Sequence, residues 1–234
     1  MIDEARTVAW KEWKEWLSRP EKAGLSAYMS RSGNVTWRQL IVFPVVGIIL
    51  PLQFGDQWFN SAWPVGLWVF LSAIPAAIFS ADSFAGERER QTLESLLATP
   101  LSDRGILLGK MAAGVMVAWL AALMIPVIGL VTANISGWDG SIRLYSPTMI
   151  FSGLVLSALV ALLVVAIGSM TSLRSATVQE ATMNLMLPLM IPTLLLAAGT
   201  ALLPRDVTAR IFDAVSGADP VVLGLAVAVV LALL

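Results

Sequence analysis

Apolar positions gather into six long blocks, at about residues 37–54, 58–81, 106–132, 148–170, 183–203 and 221–234. Between Gln39 and Ala81 the only charged residue is Asp56, and between Met111 and Arg143 it is Asp139. Apolar stretches of about 18 residues or more read as membrane-crossing helices. The pattern therefore predicts an all-α membrane protein with six transmembrane helices, the whole of 37–234 forming the transmembrane domain. The last block is 14 residues, about 21 Å of helix against a hydrocarbon core of about 30 Å. The expectation is a helix whose end is missing from the sequence.

The first 36 residues are different. On a helix at about 100° per residue, Ile2, Ala9, Trp10, Trp13, Trp16 and Leu17 share one arc, and Lys11, Glu12, Lys14 and Glu15 lie elsewhere. Residues 1–36 thus read as a cytoplasmic amphipathic segment ended by Pro20 and Gly24. Three tryptophans on one side suit the membrane interface, where indole keeps its body buried and its N–H wet. The other reading is a helix packed against the protein's own spans. A polar start of this length is not a secretory signal, so the first span is expected to be an uncleaved anchor.

Composition sharpens the picture. Of 234 residues, 57% are hydrophobic and 13% charged, about half the charged share usual in a soluble domain. Mean hydropathy is +0.79. The absence of cysteine and histidine removes disulfides, the usual zinc sites, haem ligation and Ser-His triads. Basic residues form no stripe interleaved with aromatics, which excludes a nucleic-acid surface. They do alternate in side. With the N-terminus in the cytoplasm, Arg6, Lys11, Lys14, Arg19, Lys22, Arg31, Arg38, Arg88, Arg90, Arg104, Lys110 and Arg174 fall inside, and only Arg143, Arg205 and Arg210 outside. That asymmetry is the positive-inside signature, and it predicts a multi-pass protein of the inner or plasma membrane. No expected span carries a charge in its middle, which argues against an ion-coupled carrier.

One segment between spans two and three is too patterned for a turn: residues 81–110. Glu87 with Arg90, and Arg90 with Glu94, are helical neighbours of opposite sign. Leu93, Leu96 and Leu97 make a short apolar stripe. Thr99-Pro100 stops the helix, and Ser102 or Asp103 can cap the next. Such a knuckle either docks into a groove on a soluble partner or rests on the headgroups, and the pattern does not choose. Gly105 to Lys110 is too short between its glycines for a phosphate loop and lacks the following Ser or Thr. Asn34-Val-Thr36 and Asn134-Ile-Ser136 match the glycosylation triplet.

Glu87-Arg88-Glu89-Arg90, Thr92-Leu93-Glu94, Leu96-Leu97, Thr99-Pro100-Leu101 and Gly109-Lys110 together resemble the characteristic segment of ABC-2-type transporter permeases. The layout is similar as well: an amphipathic N-terminal helix followed by six spans. The resemblance implies a permease subunit of an ATP-driven exporter. Its cytoplasmic coupling helix would meet a separate ABC ATPase through Glu87, Arg88, Glu89, Arg90, Thr92, Leu93, Glu94, Leu97, Thr99 and Pro100. ATP and Mg would be bound by that partner, with no metal or cofactor in this chain. A second permease copy or a similar sister chain would pair with it, in contact with membrane lipids. It also implies that reversing the charges of Glu87 and Glu94 uncouples the complex without unfolding it. The alternatives are a membrane scaffold without transport, or a lipid-active enzyme built on Asp82, Glu87, Glu89 and Glu94.

Overall fold

The computed structural model describes residues 2–18 and 41–233. Those residues form ten helices: α1 Ile2–Ser18, α2 Val42–Phe54, α3 Gln57–Asn60, α4 Trp63–Glu89, α5 Leu93–Leu97, α6 Asp103–Ser136, α7 Pro147–Arg174, α8 Val178–Leu202, α9 Arg205–Ser216 and α10 Pro220–Leu233. Asn34 and residues 37–40 lie outside the described set.

Local chemistry sets the boundaries. Ser102 is extended at the N-cap of α6, and its Oγ accepts from the Gly105 amide at 3.2 Å. Ser146 does the same for α7 through the Met149 amide at 3.3 Å, with Pro147 opening the first turn. The second predicted span starts and ends later than expected, because Pro64 sits in the first turn of α4 and nothing in 82–89 breaks the helix. Most of the loop expected between the fifth and sixth spans is also a helix, α9. It meets α10 at a bend of 110°, where Gly217 ends its last turn.

By length and composition, α4, α6 and α7 can each cross a membrane, and the bent α9–α10 pair makes a fourth if counted as one span. α2 has 13 residues and α8 has 25, with Pro188 and Pro192 in its interior.

α4 is the central helix: α6, α7, α8 and α10 all pack on it. It runs parallel to α7, in a register set by small residues. A Cβ on Gly153 would lie 2.3 Å from the Trp68 ring, and one on Gly168 would overlap the Ser80 hydroxyl. Between them, Ser72 Oγ donates to the Ser157 carbonyl at 3.2 Å. Past Gly168, Ser172 Oγ donates to the Ala81 carbonyl at 2.8 Å and accepts from the Phe84 and Ala85 amides at 3.1 and 2.9 Å. Close approach of backbones through small residues is how apolar helices associate without a hydrophobic drive between them. α6 runs the other way, with Gly114 under Phe79 and Gly129 under Trp58.

The bundle therefore has two unlike ends. At one, Trp58 Nε1 donates to Tyr145 Oη at 2.6 Å, and Tyr145 Oη donates to the Pro126 carbonyl at 3.0 Å. Burial pushes the Tyr145 phenol up to about 12, against the opposing pull of the Trp58 hydrogen bond. Arg143 pairs there with Asp56 and Asp139. Asn134 is inside α6, and both ends of its amide are bonded, to Arg143 and to the Leu130 carbonyl. This triplet is thus built into the fold. The other end holds α1, Arg88, Arg90, Arg104, Lys110 and Arg174, apart from Arg143; Arg19, Lys22, Arg31 and Arg38 lie outside the described residues.

Candidate functional site

The charged end is organised by the turn after α4. The sequence suggests one helix through Glu87, Arg90 and Glu94. Instead α4 stops at Glu89, and α5 is a separate five-residue turn. The stop has a defined geometry. Gln91 adopts φ 57°, its amide donates to the Arg88 carbonyl at 3.1 Å, and the Thr92 amide donates to the Glu87 carbonyl at 2.9 Å. This is the Schellman closure, with glutamine where glycine is usual. It separates Arg90 from Glu94, so the expected Arg90–Glu94 helical pair does not form within one helix.

The four charged residues before the turn point to four different places. Glu87 Oε1 lies 3.3 Å from Lys110 Nζ on α6, and its other oxygen accepts from the Thr92 hydroxyl. Arg88 donates to the Leu173 carbonyl at 3.0 Å and to the Ser175 carbonyl, covering the C-terminus of α7. A cation over exposed helix carbonyls satisfies them and meets the negative end of the helix dipole. Glu89 does the converse, accepting from the Val178 amide at 2.9 Å at the start of α8. Arg90 Nη2 holds both Asp82 oxygens at 2.7 and 3.0 Å. Burial, the largest single influence on Arg90, pulls its pKa down, but the carboxylates of Asp82, Glu87 and Glu12 together outweigh it and the net direction is up.

Lys110 is the centre of the end. It is 2% exposed and pairs with Glu12 of α1 at 2.5 Å as well as with Glu87. Its ammonium also lies 5.7 Å from the centroid of the Phe84 ring, a distance at which the ring face attracts it. α1 reaches it by running along the start of α6. Glu4 Oε2 accepts from the Ser102 hydroxyl at 2.7 Å, and that bond is the main reason the Glu4 carboxyl sits below its ordinary pKa. Val8 and Ala5 cover Gly109. Trp13 and Ala9 pack on Phe79, Ala113 and Val117. Trp10 is 67% exposed, and the Trp16 side chain lies outside the described residues. The buried stripe of α1 thus passes through Val8 and Glu12 rather than the centre of the tryptophan arc. Gly105 and Gly109 sit on a helix under α1, so they form no phosphate loop.

Beyond this base, α5 and its flanks project. Thr92, Glu94, Ser95 and Pro100 are exposed, and Leu93, Leu96 and Thr99 half-buried. The side chain of Leu97 lies outside the described residues. Thr99 Oγ1 donates to the Leu96 carbonyl at 2.7 Å, closing the turn before proline. One expectation needs correction: the Glu87 side chain is 12% exposed and paired with Lys110, so reversing its charge would set two cations together in a buried place. Glu87 belongs to the base, and Glu94 to the projecting surface. The acids considered for a catalytic cluster are likewise engaged, Asp82 by Arg90, Glu87 by Lys110 and Glu89 by a helix amide. Among the described residues no group of three or more metal-ligating side chains comes together.

Sequence reasoning found the quartet and the knuckle but missed Glu12 and Ser172; it read Asp82 only as a candidate catalytic acid rather than the partner of Arg90, and Lys110 only as the residue opening a span. One signal was available. A lysine at the mouth of a long apolar run is costly to bury alone, so it required an acidic partner from outside its own helix.

The sequence pattern of the ABC-2 family transporter proteins matches residues 18–220. Among curated proteins, the probable multidrug ABC transporter permease YbhR of Escherichia coli K12 is 31% identical over 147 residues, and the protein of that name from Escherichia coli O157:H7 matches to the same extent. The aligned part is 60% of this chain and 37% of the relative, so the chain spans well under half the length of the curated relatives it matches.

Proposed function

The chain belongs to the ABC-2 transporter family, and we propose from this that it is the transmembrane permease subunit of an ATP-driven exporter, docking a separate ABC ATPase through α5. The observation that carries the reading is the contrast at the charged end: a knuckle with exposed Thr92, Glu94, Ser95 and Pro100, standing on a base tied to α6, α7 and α8. A short surface helix can receive a push only if its footing is stiff, and here the footing reaches most of the bundle. Partner, ATP and Mg are outside this chain.

The remaining elements complete the proposal. α2 and α8 join α4, α6, α7 and the α9–α10 pair to make six spans. In this reading the charged end faces the cytoplasm, which the distribution of Lys and Arg supports. Exposed Trp10 lies at the headgroups, while Trp13 anchors α1 to the protein. A second permease chain closes the path. The relative's name, which speaks of multiple drugs, makes drug-like organic compounds the first substrate class to try.

The test uses Glu94→Lys in the purified complex reconstituted in vesicles. Transport-coupled ATP hydrolysis should fall at least tenfold while the thermal unfolding midpoint stays unchanged. Full coupling in that variant would remove α5 as the docking element. A wild-type complex that hydrolyses ATP and moves nothing would favour a scaffold.

A further inference from the structure

The knuckle has two feet, and both are held by α1. At the first, Glu87 is bonded to Lys110, and Lys110 to Glu12. At the second, the cap residue Ser102 donates to Glu4. Glu4 and Glu12 are eight residues apart on one face of α1, about 12 Å along the axis. Between these contacts α1 is pressed onto α6 at Gly109, where a Cβ would lie 2.5 Å from Val8 Cβ and 2.7 Å from the Ala5 carbonyl. The three contacts follow one another along α1, and the first and last of them, through Ser102 and Glu87, bracket residues 88–101.

We propose that α1 is a splint for the coupling segment, with Glu4 and Glu12 as its positioning residues and Gly109-Lys110 as the seat it lies in. The inference rests on the permease reading for its role in transport, but not for the geometry. A purely structural α1 would be served as well by apolar contacts, since buried ion pairs add little stability over well-packed hydrophobic residues; their best-attested use is to fix one arrangement against others. Lys110 also carries more carboxylate than it needs. Glu87 alone neutralises it, so Glu12 is free to act as the tie to α1.

That surplus makes the test clean. Glu4→Ala/Glu12→Leu removes both ties and leaves Lys110 paired with Glu87. Gly109→Val unseats α1 by a different contact and touches no charge. The chain has no cysteine, so Ser95→Cys on α5 and Val127→Cys on the exposed face of α6 accept spin labels without further changes. In the full chain in nanodiscs, the parent should give one narrow distance distribution. Both variants should broaden it at least twofold, with thermal unfolding still cooperative. In the reconstituted complex both should lower substrate moved per ATP hydrolysed at least tenfold. A distribution as narrow as the parent's in either folded variant overturns the splint. If one variant fails to fold, the other decides. Broadening with no ATPase bound to the parent would leave the splint standing and remove the permease reading instead.

Discussion

Gln91 carries the sharpest local constraint at the site. It is the one non-glycine with positive φ among the described residues, at 57°, and a side chain there costs about 1–2 kcal/mol relative to the right-handed region. Gln91→Gly would relieve this and lose part of the gain to the larger entropy of an unfolded glycine. We expect a net stabilisation of about 0.5–1 kcal/mol, measured by thermal unfolding in detergent, with the turn geometry retained. A lower midpoint would mean that the glutamine side chain contributes more than the backbone strain removes. Residue identities were legible here, but their pairings were not. Glu87-Arg88-Glu89-Arg90 reads as a helical ladder because i to i+4 spacing is all a sequence can show. The fold sends Glu87, Arg88 and Glu89 to three other helices and turns Arg90 back onto Asp82 of its own.

At the scale of elements, the packing of α4 on α7 depends on close approach. Gly153→Ala would put a methyl carbon 2.3 Å from the Trp68 ring, and a well-packed interface answers such crowding with a loss of about 1–3 kcal/mol. The expected readout is a lower unfolding midpoint, and no change would show that the two helices can separate freely. Apolar runs gave the long helices well, because hydrophobicity sets length directly. They did not give α9, whose polar and apolar residues alternate at helical period in Arg205–Ser216, a pattern that run length cannot detect. The face of α1 that packs on the protein was not legible for a related reason: tryptophans dominate any hydrophobic arc, yet burial follows Val8, which fits against Gly109, and Glu12, which pairs with Lys110.

The whole molecule has an orientation that can be read by chemistry. With cysteine otherwise absent, Ser95→Cys and Ile142→Cys place single thiols at opposite ends, both at exposed positions. In intact cells a membrane-impermeant maleimide should label Ile142→Cys at least tenfold faster than Ser95→Cys, and inverted vesicles should reverse the order. Equal labelling would overturn the assignment of the charged end to the cytoplasm. The two ends are joined by α4, whose 27 residues span about 40 Å. At its far end the Ala62 amide donates to the Ser216 carbonyl, the last residue of α9. A load applied at Glu87–Arg90 would pass along α4 as along a strut and bear on α9. It is not uniformly stiff, since Pro75 near its midpoint deprives the Leu71 carbonyl of its helical donor. Axial compression would meet a missing rung there, so the strut would bow at Leu71–Pro75.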